Sequence, residues 1–77
     1  MVTLYGQVIN RINIRYNGYS YSIYAEDINI EGETNENKLF VAIENLFNIN
    51  PNDLSGYVLD FEDQGSIIIR PNTNLGL

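Results

Sequence analysis

Carboxylates are the side chains of this sequence best placed to do chemistry. Asp60 and Glu62 alternate along an apolar segment, with Asp63 directly after them. Two positions apart on a strand, both carboxylates project from one face about 7 Å apart by strand rise. Such a pair suits a divalent cation or a general acid and base. Glu26, Asp27, Glu31, Glu33 and Glu36 form a second, looser group, and Asp53 stands apart. Catalysis requires a dry concave site that a chain this short seldom encloses, so a solvated sheet face is the simpler account of Asp60 and Glu62. Asn48, Asn50, Asn52 and Asp53 alternate like the oxygen ligands of a calcium loop. Pro51 interrupts them, however, and Leu59 stands where the bidentate glutamate belongs, which excludes an EF-hand.

The remaining composition narrows the chemistry further. The absence of cysteine removes disulfides, thiolate nucleophiles and thiolate-rich zinc sites; the absence of histidine removes the commonest metal ligand and general base. There is no glycine-rich phosphate loop, no Ser/Lys or Ser/His pairing, and no interleaving of aromatic with basic residues. We therefore expect neither enzymatic activity nor a cofactor. Ten acidic against four basic residues leave a net charge of -6, which repels nucleic acid and anionic membranes and favours a basic partner. With 44% hydrophobic residues and nine aromatics, the 77 residues should fold as a single domain, near the lower limit for a core without disulfides or metal. No apolar run approaches the roughly 18 residues needed to span a membrane. Nor does a basic segment or continuous apolar core of the secretory kind follow Met1, so a cytoplasmic location is expected.

The elements that must position these groups begin with a hairpin. Asn17-Gly18 lies between alternating apolar runs, and both central residues of a type I′ turn need positive φ. That loop pairs Tyr16 with Tyr19, Ile14 with Tyr21, Ile12 with Ile23 and Asn10 with Ala25, all on one face. Past Ala25 the apolar phase slips by one, and a β-bulge at Glu26-Asp27 would repair it by setting Ile28 opposite Val8 and Ile30 opposite Gly6. The first arm, Val2 to Tyr16, exceeds the usual strand length, so a bend or a close approach is expected at Gly6, and the arm should be either strongly coiled or broken near Ile9-Asn10. Its outer face carries Arg11, Asn13 and Arg15 opposite Tyr24, Ser22 and Ser20, with Arg11 and Tyr24 a cross-strand cation–π pair.

Leu39, Ile43 and Leu46, flanked by Phe40, Ala42 and Phe47, form an apolar stripe of helical period. The pattern predicts a helix from Glu36 to Asn48, capped by Thr34 or Asn35 and stopped by Asn50-Pro51. Beyond the turn cluster Pro51 to Gly56, Tyr57, Leu59 and Phe61 alternate with Val58, Asp60 and Glu62. A three-residue loop Asp63-Gln64-Gly65, with Gly65 left-handed, then sets Phe61 opposite Ile67 and Leu59 opposite Ile69. Pro71 ends that strand, and residues 72–77 form a tail. The expected fold is α+β in the order ββαββ: a four-stranded antiparallel sheet built on the long twisted N-terminal hairpin, with one helix on one face.

These features suggest a small protein-binding module. In size, charge and lack of catalytic groups the chain resembles phage-encoded anti-restriction and anti-CRISPR inhibitors, some of which mimic nucleic acid; the likeness is one of composition, and no motif carries it. It implies an inhibitor or adaptor that occupies a basic, nucleic-acid-handling protein with carboxylates in place of phosphates. The expected contact residues are Glu31, Glu33 and Glu36, then Asp60, Glu62 and Asp63. Tyr16 and Tyr19 at the hairpin tip, and Arg11, Arg15 and Tyr24 on its outer face, add to them, since tyrosine and arginine are enriched in interfaces. The alternative is a self-assembling module, because a long strand edge is a template for a second copy and a homodimer would extend the small core. A metal-dependent enzyme built on Asp60 and Glu62 is a remote third reading. Direct binding of nucleic acid or membrane is not expected.

Overall fold

A computed structural model describes residues 1–50 and 53–72. Pro51, expected to stop the helix and open the next turn, and residues 73–77 of the tail lie outside the described residues. The expected N-terminal arm divides into β1 (Val2–Leu4), β2 (Gln7–Ile9) and β3 (Arg11–Tyr16). Tyr5 and Gly6 turn the chain with φ of 53° and 78°, the I′ geometry, so that Leu4 faces Gln7 and β2 runs back along β1. The bend expected at Gly6 is thus a complete hairpin. The expected break falls at Asn10, whose N–H donates to the Gly65 carbonyl at 2.7 Å.

The hairpin at Asn17-Gly18 has the expected register, with β4 (Tyr19–Tyr24) set against β3 by Tyr16/Tyr19, Ile14/Tyr21 and Ile12/Ile23. The Ala25 N–H extends it by donating to the Asn10 carbonyl at 2.8 Å. The bulge does not form. Ala25–Asp27 makes one turn of 3-10 helix, closed by the Ile28 N–H on the Ala25 carbonyl, and this turn absorbs the one-residue phase slip. Ile28 therefore does not face Val8, which pairs with Thr3, nor does Ile30 face Gly6. The chain instead leads into β5 (Gly32–Thr34), parallel to β1 with Thr3 beside Glu33.

The helix α1 spans Glu36–Phe47. Asn35 caps it, its Oδ1 accepting the Lys38 N–H at 2.8 Å. Asn48 ends it in the left-handed conformation at φ 56°, ahead of the expected stop at Asn50-Pro51. The buried stripe also differs from expectation, because Leu46 is 46% exposed while Glu44 is only 6% exposed. Glu44 faces inward because its Oε2 accepts the Leu54 N–H at 3.1 Å, and a buried N–H without a partner would cost about 1–3 kcal/mol.

β6 (Tyr57–Phe61) and β7 (Ser66–Pro71) pair through the expected three-residue loop, with Phe61 opposite Ile67 and Leu59 opposite Ile69. The sheets are mixed rather than antiparallel. β7 lies parallel to β3, Ile12 beside Ile67 and Ile14 beside Ile69, which gives a four-stranded sheet of order β4-β3-β7-β6. A second, three-stranded sheet has the order β2-β1-β5. The expected single antiparallel sheet in ββαββ order is thus replaced by seven strands in two mixed sheets, with one α-helix, among the described residues. Packing explains the parallel pair: β3 and β7 are the two strands with fully buried isoleucines, and side by side they place four of them under Leu39 and Ile43 of α1. Val2, Leu4 and Ile9 from the smaller sheet, with Ala25, Ile28 and Leu54 from the connections, complete one continuous core. No helix among the described residues is long and apolar enough to cross a membrane.

Candidate functional site

The face of the four-stranded sheet turned away from α1 gathers five of the expected contact residues. Arg11 and Arg15 on β3 oppose Tyr24 and Ser20 on β4, and across β7 the same face carries Asp60 on β6, with Glu62 just beyond it. Arg11 lies over the Tyr24 ring at 4.7 Å and its Nη1 donates to Ser22 Oγ at 3.3 Å. Asp60 does share its face with Glu62, but each is engaged by a neighbour. Arg70 donates to Asp60 Oδ2 from Nε at 2.9 Å and from Nη2 at 2.8 Å, and Asn13 Nδ2 donates to Glu62 Oε1 at 3.1 Å. Arg70 was not among the expected residues, although its alternation with Ile67 and Ile69 marks it as outward-facing. Arg15 is exposed and makes no ion pair or hydrogen bond among the described residues. Asp63 lies exposed in the β6–β7 loop.

The other acidic group sits where β1, β5 and the start of α1 meet. Glu31 takes the Met1 amine at 2.6 Å, Glu33 accepts the Thr3 hydroxyl at 2.6 Å, and Glu36 accepts the Tyr5 hydroxyl at 2.7 Å. The Tyr5 hydroxyl is held above the usual phenol range chiefly by that bond to Glu36. Its ring also stands 6.3 Å from Phe61, so this one side chain joins the helix start to β6. Tyr16 and Tyr19 lie on the inner side of the hairpin. Tyr16 donates to Asp53 Oδ2 at 2.6 Å, which raises its pKa to about 12. Tyr57, 6.3 Å from Tyr16, is raised by burial and then by Asp53. Tyr19 is 66% exposed and stands beside Tyr21, which rests on Phe47 of α1 at 5.2 Å. The expected contact residues are therefore spread over three surfaces. No cluster of three or more candidate metal ligands occurs among the described residues.

No family model, curated protein or solved structure matches this chain.

Its most unusual surface feature is an edge. β4 pairs only with β3 and bounds the larger sheet. In a hairpin with a two-residue loop, the closing pair exchanges both backbone bonds and bonded pairs then alternate, so Tyr19, Tyr21 and Ile23 point their N–H and C=O groups at β3. The Ala25 bond to Asn10 continues that series. Ser20, Ser22 and Tyr24 thus direct their backbone groups outward. Every residue of β4 is exposed except the half-buried Ile23, and the strand Tyr-Ser-Tyr-Ser-Ile-Tyr has no charge, proline or bulge. Open edges of this kind are ordinarily blunted. The other edges of the molecule follow that rule: β6 carries Asp60 bonded to Arg70, while β2 and β5 have three residues each and β5 presents Glu33. From hairpin register alone, Ser20 and Ser22 are simply the residues opposite Arg15 and Asn13. The signal that marks them is the uncharged run itself.

Proposed function

We propose that this chain is a protein-binding module whose docking element is the open edge of β4, which takes an extended strand of a partner into the four-stranded sheet. The observation that carries this reading is the six-residue uncharged edge with outward N–H and C=O groups at Ser20, Ser22 and Tyr24. Main-chain bonds along such an edge supply affinity, and Tyr19, Tyr21 and Tyr24 supply side-chain contact on both faces. A net charge of -6 then steers association towards a basic protein, so inhibition of a nucleic-acid-handling partner is one use of the edge. Phosphate mimicry by the carboxylates has less support. Glu31, Glu33, Glu36, Glu44, Asp53, Asp60 and Glu62 already accept bonds from their own chain. A partner's arginine would have to compete with those donors.

Capture from the native host with three forms of the chain tests the reading. Ser22→Pro removes one outward N–H and breaks none of the intrachain ladder, since proline is tolerated on an edge whose N–H faces solvent. The partner is expected to be lost with Ser22→Pro, at unchanged circular dichroism, and retained when Glu31, Glu33 and Glu36 are all replaced by lysine. Retention by Ser22→Pro overturns the reading, and its loss from the lysine triple at the same time would establish mimicry instead.

A further inference from the structure

We infer that the strand β4 is built to receive is β4 of a second copy, antiparallel, with Ser22 on the two-fold axis. The inference rests on the open-edge reading above and adds the identity of the occupant. Outward backbone groups occur at three evenly spaced positions, Ser20, Ser22 and Tyr24. A two-fold rotation centred on Ser22 sets Ser22 against Ser22 and Ser20 against Tyr24 of the other copy, so every outward N–H and C=O of the strand finds a complement. Opposed residues must lie on the same face, which leaves Tyr21 and Ile23 as the nearest other centres. The first pairs Ser20 with Ser22 but sets Tyr24 against the turn at Gly18; the second pairs Ser22 with Tyr24 but sets Ser20 against Glu26 in the 3-10 turn, and each loses two bonds.

Side chains favour the same register. On the inner face it opposes Tyr21, 39% exposed, to the half-buried Ile23 of the other copy, in the closer, non-bonded type of pair. On the outer face it brings Tyr24 of one copy beside Ser20 of the other. Next to that serine stands Arg15, exposed and without a bonding partner among the described residues. Arg11 already shows that this ring accepts a guanidinium on its face. Charge points to the same seam. Each copy carries -6, yet β4 is uncharged and its neighbour β3 contributes Arg11 and Arg15, while Asp60 lies on the far edge strand of the same sheet with Glu62 just after it. Two copies therefore meet along an uncharged strand, with the exposed Glu26 and Asp27 only beyond its end.

A seam of six residues is smaller than a standard stable interface, so association is expected in the micromolar range rather than below it. Sedimentation equilibrium of the wild-type chain should give a mass approaching twice 8.8 kDa at high micromolar concentration, and Ser22→Pro should remain at 8.8 kDa. The chain has no cysteine of its own, so single replacements report the register. Ser22→Cys places two thiols on an opposed pair with Cα atoms about 5.5 Å apart, within reach of a disulfide. In Ser20→Cys they stand about 13 Å apart along the strands. Mild oxidation should therefore yield covalent dimer roughly tenfold faster or more with Ser22→Cys than with Ser20→Cys. A wild-type monomer at high micromolar concentration overturns the second copy as occupant, and the host capture with Ser22→Pro then decides the edge reading by itself. A dimer indifferent to Ser22→Pro overturns self-pairing through β4. Equal cross-linking of the two cysteine variants overturns the axis at Ser22.

Discussion

Tyr16 closes the hairpin against Tyr19, and its hydroxyl also ties that hairpin to the segment before β6 by donating to Asp53 at 2.6 Å. The bond favours the neutral phenol, with burial and the Asp53 charge acting in the same direction, and the pKa rises from 10.0 to about 12. A group whose folded pKa exceeds its unfolded value adds stability that is complete below the unfolded value and disappears as pH rises through the folded one. The contribution of this contact should thus be intact below pH 10 and vanish across the interval up to about pH 12. In a spectrophotometric titration the Tyr16 phenolate should appear late, and Asp53→Asn should bring its midpoint down towards 10.0. An unmoved midpoint would mean that the bond does not form in solution. None of this was readable from the sequence, where Asp53 stood apart and nothing linked it to a tyrosine thirty-seven positions away. Arg11 and Tyr24 were readable, because hairpin register alone makes them opposite neighbours.

At the scale of elements, what could be read was whatever local chemistry decides. The Asn17-Gly18 turn, the Asn35 cap and the three-residue loop ending at Gly65 are set within a few residues, and all three occur. The parallel pairs were not legible, because a period of two tells which face of a strand is buried and not which strand lies beside it. The same ambiguity concealed β1 and β2: Val2, Leu4 and Val8 read as one continuous alternation, whereas the turn at Tyr5-Gly6 flips the phase, setting buried Ile9 opposite Val2 and leaving Val8 43% exposed opposite Thr3. Gly65 shows how a local device comes to serve a distant contact. It has φ 80°, and an added Cβ would lie 2.5 Å from Asn10 Nδ2 and 3.2 Å from the Val8 carbonyl, where β2 passes the loop. Gly6 has a similar φ of 78° with nothing within 4 Å. Gly6→Ala should cost only the left-handed backbone penalty, about 1–2 kcal/mol. Gly65→Ala should cost that amount plus displacement of Asn10, whose N–H and side chain both bond the loop, for a total of about 2–4 kcal/mol. Urea denaturation of the two variants distinguishes these outcomes, and equal losses would mean that the β2 contact contributes nothing.

For the molecule as a whole, β3 and β7 are the two strands of the larger sheet with a neighbour on each side, and their isoleucines lie at the centre of the core. Opening them requires global unfolding, whereas edge amides need only local fluctuation. Backbone hydrogen exchange should therefore be slowest in β3 and β7, and within β4 it should alternate. Tyr19, Tyr21 and Ile23 donate to β3 and should be protected in dilute solution, while Ser20, Ser22 and Tyr24 should exchange nearly as fast as an open chain. Raising the protein concentration discriminates between an edge merely left bare and one built for occupancy. Self-pairing should slow Ser20, Ser22 and Tyr24 together, because one register satisfies all three, and should leave the β6 edge, where Asp60 is bonded to Arg70 of β7, unaffected. If those three amides stay fast at every concentration, the second copy is not the occupant, and the host capture with Ser22→Pro decides between a different partner strand and an edge that six uncharged residues simply leave bare.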